Sequence, residues 1–361
     1  MSSQRQMQQQ MQQQNMIMAR QRQMQMMVMQ QRAANSNTAP RQQMQAQSQT
    51  MGSTYDDLPI NSPSDIEFTS GHPTFFGQPP AFFGPFASAC RRGPLSIVQS
   101  TISEEQLTPA FLHHGLTLAL SAGNIKVASY LLSNGAPIVR ETPRSVLSAP
   151  PDQQIGLFEL LLRHGWTPNT PGFYGTTLLP RVVMNLPLLG WFLDHGADPN
   201  LGAQRDNRDR RGGPDTNSCV TLEVAAADGP VEAVDLILRA GVRIENGLPL
   251  HYAAGVCPPG QNPHAMRVEP SFDFDTDRIP VMALLVEHGA DINKKEESRH
   301  MTPQYAIVNA VMAGAVERVR WLLEHGADPN VRGAYGSAIE RARDIGNEIM
   351  ISMIEGFVER S

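Results

Sequence analysis

Cysteine is scarce in this chain. Its 361 residues include three, Cys90, Cys219 and Cys257, too few and too scattered for a disulfide framework or a Cys-x-x-Cys zinc site. No apolar run approaches the ~20 residues that carry a helix across a bilayer, so no membrane role is expected. The N-terminal stretch lacks the apolar core of a signal peptide. These absences point to an intracellular setting, cytoplasmic or nuclear. Positive charge is also in short supply: 29 Lys+Arg against 35 Asp+Glu give a net charge of −6, the wrong balance for coating nucleic acid. Phosphate loop, Gly-x-Ser-x-Gly elbow and His-Glu-x-x-His are all missing. The expectation is a protein with no enzymatic activity, no cofactor and no metal.

What is present divides unevenly. Residues 1–50 hold 18 Gln and five Arg without one acid, and residues 1–51 hold 11 of the 18 Met. The first fifty residues carry +5, which leaves −11 on the rest. Gln and Met tolerate helix, but Met7, Met11, Met18 and Met29 keep no heptad. Residues 1–51 are therefore expected to be a low-complexity arm, disordered or transiently helical, unless it self-associates or recruits partners. Residues 52–85 are Pro-, Gly- and Ser-rich and read as a linker. It ends in two copies of Phe-Phe-Gly, at Phe75–Gly77 and Phe82–Gly84. Such a Phe-rich, Pro/Gly-rich segment is not expected to be helical. It either packs over the first layer of a folded body or remains exposed for a partner.

From about residue 86 the sequence repeats. Gly135, Gly165, Gly196, Gly241, Gly289 and Gly326 lie 30, 31, 45, 48 and 37 residues apart. Each follows an apolar triplet at i, i+3 and i+4: Ala128/Leu131/Leu132, Phe158/Leu161/Leu162, Leu189/Phe192/Leu193, Val234/Ile237/Leu238, Met282/Leu285/Val286 and Val319/Leu322/Leu323. One narrow stripe per helix is too little for a lone helix, whereas stacked helices bury their stripes continuously. Glycine suits the left-handed position that stops a helix, and the Asp-Pro-Asn that follows two of these glycines is turn chemistry. A second helix is expected before each of these, with Thr142-Pro143 and Thr302-Pro303 as starts. The third repeat is the least regular, with Leu178-Leu179-Pro180 and Pro187 in its helical regions.

These features resemble the ankyrin repeat. The resemblance rests on Gly247-Leu-Pro249-Leu250-His251-Tyr-Ala253-Ala254, on Met301-Thr302-Pro303 and on the Leu-Leu-x-x-Gly-Ala-Asp-x-Asn ends. It spans about residues 86–361: six full repeats, a half repeat before them (Ala87–Val98) and a terminal one after. The implied fold is all-α, a solenoid of stacked helix-turn-helix units with short β-hairpin-like finger loops. Residues 203–217 would lengthen a finger. Residues 256–277 would extend the join between two helices, at the opposite end of the stack.

His164, His195, His288 and His325 share the slot before the repeat glycine, which favours capping of a helix C-terminus over catalysis. His251 occupies the signature slot, where the resemblance implies hydrogen bonds inside the repeat. Trp191 and Trp321 fall in one column of the repeat with Tyr130, Leu160, Leu236 and Leu284, expected to be core or semi-core. Leu238 and Leu322 are both expected in the core. The function implied is a non-enzymatic scaffold or adaptor that binds other proteins through finger loops and concave face, as a monomeric solenoid. The alternative is a regulatory assembly protein acting through its Gln-rich arm, which would also be the place for self-association. Candidate partner contacts are the finger residues Tyr174, Arg208, Arg211, Arg299, Arg332 and Tyr335, since Tyr and Arg dominate binding hot spots.

Overall fold

The computed structural model describes residues 57–58, 79–105, 107–264, 268–297 and 302–359. The Gln/Met arm, Phe75-Phe76 and Arg299 lie outside the described residues. The rest is a helical stack. In chain order its helices are α1 (Phe83–Arg92), α2 (Leu95–Glu104), α3 (Pro109–Ala122), α4 (Ile125–Ser133), α5 (Pro151–Arg163), α6 (Leu186–Asp194), α7 (Val220–Asp228) and α8 (Val231–Arg239). They continue with α9 (Pro249–Gly255), α10 (Phe272–Asp277), α11 (Ile279–Glu287), α12 (Ala306–Met312), α13 (Val316–Glu324), α14 (Ala338–Ile345) and α15 (Glu348–Val358). Among the described residues, strand is confined to one hairpin, β1 (Arg332–Gly333) and β2 (Gly336–Ser337), paired antiparallel with Arg332 opposite Ser337.

The expected stripes are the core. The i and i+3 members of all six triplets are buried, while Leu162, Leu193, Leu238 and Val286 at i+4 are only half-buried. Leu238 is thus at the rim, and Ile237 is the core residue of its turn. A helix presents roughly a 100° apolar face to its neighbours, and the i+4 position falls at the edge of it. The six repeat glycines have φ between 81° and 94°, and no neighbour crowds them. Conformation, not space, selects glycine there.

Three local expectations are corrected. Helix α1 begins at Phe83, inside the Phe-Phe-Gly segment, because Phe86 is fully buried and its ring lies 4.6 Å from that of Phe111. A side chain at Gly115 would come within 2.7 Å of Phe86, so that glycine admits the ring. Burial of aromatic surface here outweighs the weak local helix preference. The supposed half repeat is accordingly a full pair, α1 and α2.

Thr302-Pro303 does not start a helix. Gln304 takes a left-handed conformation (φ 46°) and delays α12 to Ala306. Thr142-Pro143 opens only a 3-10 segment, Thr142–Ser148, and Leu179–Arg181 forms another in the third repeat. Where the inner helix is so reduced, bulky rings fill the layer: Phe158 lies 5.2 Å from Trp166 and 4.9 Å from Phe192, centroid to centroid. Pro187 is harmless, since it falls in the first turn of α6, where its missing N–H has no helical partner to lose.

Candidate functional site

Successive layers are tied at their finger ends by one residue type. Asn169 donates from Nδ2 to the Gly196 carbonyl (2.8 Å) and accepts at Oδ1 from the Asp198 N–H (2.8 Å). Asn200 does the same to Gly241 (3.1 Å) and Arg243 (2.8 Å), and Asn293 to Gly326 (3.0 Å) and Asp328 (2.8 Å). The Asn of the turn motif therefore makes a ladder from layer to layer. Two rungs are missing, and at the first of them Val139 stands in the Asn position of the repeat ending at Gly135. Glu245 stands at that position in the repeat ending at Gly241, and Lys294 instead donates from Nζ to the carbonyls of Glu245 (2.6 Å) and Gly247 (2.9 Å). A cavity of about 250 Å³ opens there, lined in part by Glu245, Leu248, His251 and Lys294.

The fingers form two separate groups. In the first, residues 203–217 fold back on the loop around Tyr174. Gly202 and Asp215 exchange backbone hydrogen bonds, Tyr174 N–H donates to the Arg210 carbonyl (2.9 Å), and Gln204 N–H donates to the Tyr174 carbonyl (2.8 Å). Tyr174 has φ 55°, and Gly175 beside it approaches the Gly213 carbonyl too closely for any side chain. The Arg210 guanidinium lies 4.1 Å from the centre of the Phe173 ring. Arg208 pairs with Asp206 and Arg205 with Asp215, each at 3.0 Å. The N–H of exposed Arg211 donates to Asp209 (2.9 Å). Tyr174, Arg208 and Arg211 are thus brought together.

The second group is the β1–β2 hairpin, which carries Arg332 and Tyr335. Arg332 pairs with Glu340, whose other carboxylate oxygen accepts from the Ser337 N–H (2.9 Å) in a capping box at the start of α14. Those contacts, the backbone N–H first and Arg332 second, hold the Glu340 carboxyl below its usual range. The half-buried Tyr335 ring meets His264 edge-on, with centroids 6.0 Å apart. His264 belongs to the 256–277 insertion, so that insertion is not confined to the far end of the stack as expected. It reaches the finger of the next layer.

Most of the described histidines make contacts within the stack. His195 and His325 each donate from Nδ1 to the carbonyl four residues back (2.7 Å) and stack on Trp191 and Trp321; His288 bonds Leu284 in the same way (2.9 Å). His251 donates to the Gln304 carbonyl (3.1 Å), which lies in the next layer and not inside its own repeat as implied. His113 Nε2 and the Thr142 hydroxyl share a hydrogen bond (2.8 Å), and that hydroxyl also accepts from the Val139 N–H (2.8 Å). Burial, with the neighbouring His114, pushes His113 down to about 3; burial, then Arg91, pushes His114 down to about 4. Burial likewise pushes the Cys90 and Cys219 thiols up to about 12, which leaves neither as a nucleophile at neutral pH.

Sequence reasoning missed the contacts that hold the 256–277 insertion. Asp275 on α10 accepts from Arg318 Nε (2.8 Å) and from the Glu317 and Arg318 N–H groups (2.6 and 3.2 Å) at the start of α13. Arg318 Nη1 donates in turn to the carbonyls of Ala253, Ala254 and Val256 at the end of α9. The sequence carries no signal for this, since Asp275 and Arg318 read singly as surface charges.

Residues 305–334 match the family model of the ankyrin repeat. They run from the residue before α12 into the hairpin, which is one layer of the stack with its finger. No curated protein matches the chain. Among solved structures, the crystal structure of the ankyrin repeat domain of Bcl-3, described as a unique member of the IkappaB protein family, is similar at 19% identity. That match covers 70% of this chain and 87% of that one, with a TM-score of 0.39.

Proposed function

This chain is an ankyrin repeat protein, and from that premise we propose that it is a non-enzymatic scaffold or adaptor whose finger face holds other proteins. One observation carries the reading. The Asn rungs fix neighbouring fingers to one another, so side chains such as Tyr174, Arg208, Arg211, Arg332 and Tyr335 stand on a preorganised edge and lose little freedom on binding. Arg299 belongs to the same proposed set by its sequence position. The ligand class is protein. Arg205 and Arg208 are already paired with carboxylates, which leaves them a poor phosphate-binding surface. To this reading belong a monomeric solenoid and a cytoplasmic or nuclear setting, with any self-association assigned to the Gln/Met arm.

The test is affinity purification of the intact chain from its native cells with identification of bound proteins, repeated with Arg332→Ala/Tyr335→Ala and Arg208→Ala/Arg211→Ala. Loss of a partner in either variant at an unchanged melting temperature supports the finger reading. Partners that survive both double variants and vanish on removal of residues 1–51 transfer the function to the arm.

A further inference from the structure

Each rung of the ladder uses one acceptor and one donor of the following layer: the carbonyl of the repeat glycine and the N–H two residues on. Asn169 binds that pair at Gly196 and Asp198, Asn200 at Gly241 and Arg243, and Asn293 at Gly326 and Asp328, all between 2.8 and 3.1 Å. The side chain recognised is a carboxamide, held at both ends. The two junctions without Asn differ from one another. After Val139, the Thr167 N–H is taken by the Thr170 hydroxyl of its own finger (3.0 Å). After Glu245, the equivalent pair is the Gly289 carbonyl and the Asp291 N–H, and neither has a hydrogen-bond partner among the described residues. A carboxylate has no N–H to give to Gly289. The exposed Glu245 side chain makes no hydrogen bond or ion pair among the described residues.

Gly289 and Asp291 both line the cavity of about 250 Å³ at this junction, with Ile244, Leu248 and Ala290 as apolar surface beside them. Lys294 spans the junction through the Glu245 and Gly247 carbonyls and leaves the Gly289–Asp291 pair unused. A donor and an acceptor at rung spacing, beside apolar surface, suit a side chain that has methylenes and ends in a carboxamide. A lysine supplies only the donor and a carboxylate only the acceptor. We infer that this is a binding site for a glutamine side chain presented by a partner protein, its N–H donating to the Gly289 carbonyl and its oxygen accepting from the Asp291 N–H. The three internal rungs show the arrangement that it completes. Glutamine suits the place better than asparagine, because a partner's backbone stays outside the finger edge and the second methylene spans the extra distance. The inference rests on the interaction-module reading above and adds to it one recognised side chain.

The test is an NMR titration of the full chain carrying isotopically labelled aspartate, with the Asp291 amide resonance identified by its absence from Asp291→Glu. The probes are acetyl-Leu-Gln-Leu N-methylamide and its counterpart with methionine in place of glutamine. Methionine keeps the length and lacks the carboxamide, and the methyl cap leaves no other primary amide in either peptide. The glutamine peptide is expected to move the Asp291 resonance downfield, saturably, at millimolar concentration. The methionine peptide should bind at least about tenfold more weakly, having lost two hydrogen bonds. Glu245→Asn, which offers a carboxamide from the chain itself, should weaken the glutamine peptide by a similar factor. Equal binding of the two peptides, no binding, binding without movement of the Asp291 resonance, or undiminished affinity in Glu245→Asn overturns the inference. The methionine peptide keeps the test valid if Glu245→Asn fails to fold. None of these results touches the hairpin and finger variants, whose loss of protein partners is a separate readout for the module itself.

Discussion

Arg318 Nε donates to Asp275 Oδ1 at 2.8 Å, and both side chains are buried, at 1% and 7% exposure. The pair joins the 256–277 insertion to the stack. Asp275 caps the N-terminus of α13 from another helix, and Arg318 caps the C-terminus of α9. Arg278 repeats the second half of the device one layer earlier, donating to the carbonyls of Ala227 and Gly229 at the end of α7.

Asp275→Ala should lower stability by about 3–5 kcal/mol, since it strands a buried guanidinium and two helix N–H groups. Often a buried ion pair can be replaced by apolar residues without loss, but here the carbonyls of Ala253, Ala254 and Val256 would lose their donor. Asp275→Leu/Arg318→Met should therefore remain destabilised. Urea melts check both, and recovery of wild-type stability in the double variant would show that the carbonyl caps matter little.

Acid should weaken the stack near α3. His113 and His114 are held neutral, with pKa values pushed down to about 3 and about 4, whereas the unfolded chain takes up protons near 6.5. The unfolded state then binds more protons, so this stability is complete above 6.5 and is lost as pH falls through the window toward 4 and 3. Urea midpoints between pH 7 and pH 4 should fall, and His113→Gln should flatten the slope. An unchanged slope in that variant would assign the acid sensitivity elsewhere.

Leu322→Ala and Ile237→Ala should each cost about 2–5 kcal/mol, the range for emptying a packed core site. Leu238→Ala should cost clearly less, because Leu238 is half-buried at the rim of its stripe. Denaturant melts of the three variants order them, and a Leu238 loss equal to that of Ile237 would contradict the rim position.

Asn200→Ala should cost about 1–2 kcal/mol by leaving the Gly241 carbonyl and Arg243 N–H without that partner at a water-accessible edge. Glu245→Asn should work in the other direction, placing an absent rung between the layers that end at Gly241 and Gly289. Thermal melts of both variants measure the ladder from each side. A neutral Asn200→Ala would reduce these bridges to turn chemistry.

Whatever repeats along one helix or one turn can be read from the chain before it folds. The i, i+3 stripe of Val319 and Leu322, the left-handed stop at Gly326 and the order of the layers follow from backbone geometry within a few residues, and neighbours in sequence are enough to read them. Features that depend on distances between layers arise only on stacking. Asn200 is a turn residue in sequence and becomes a bridge only when Gly241 is stacked above it. Thr302-Pro303 has the local pattern of a helix start, but the Gln304 side chain accepts from the Ala334 N–H (2.8 Å) and its carbonyl accepts from His251, and these contacts accompany the turn that moves the start to Ala306. Asp275 and Arg318 are charged residues far apart in the chain, with nothing periodic to link them. A charge can leave water only where a partner already waits at hydrogen-bonding distance, and stacking is what sets that distance.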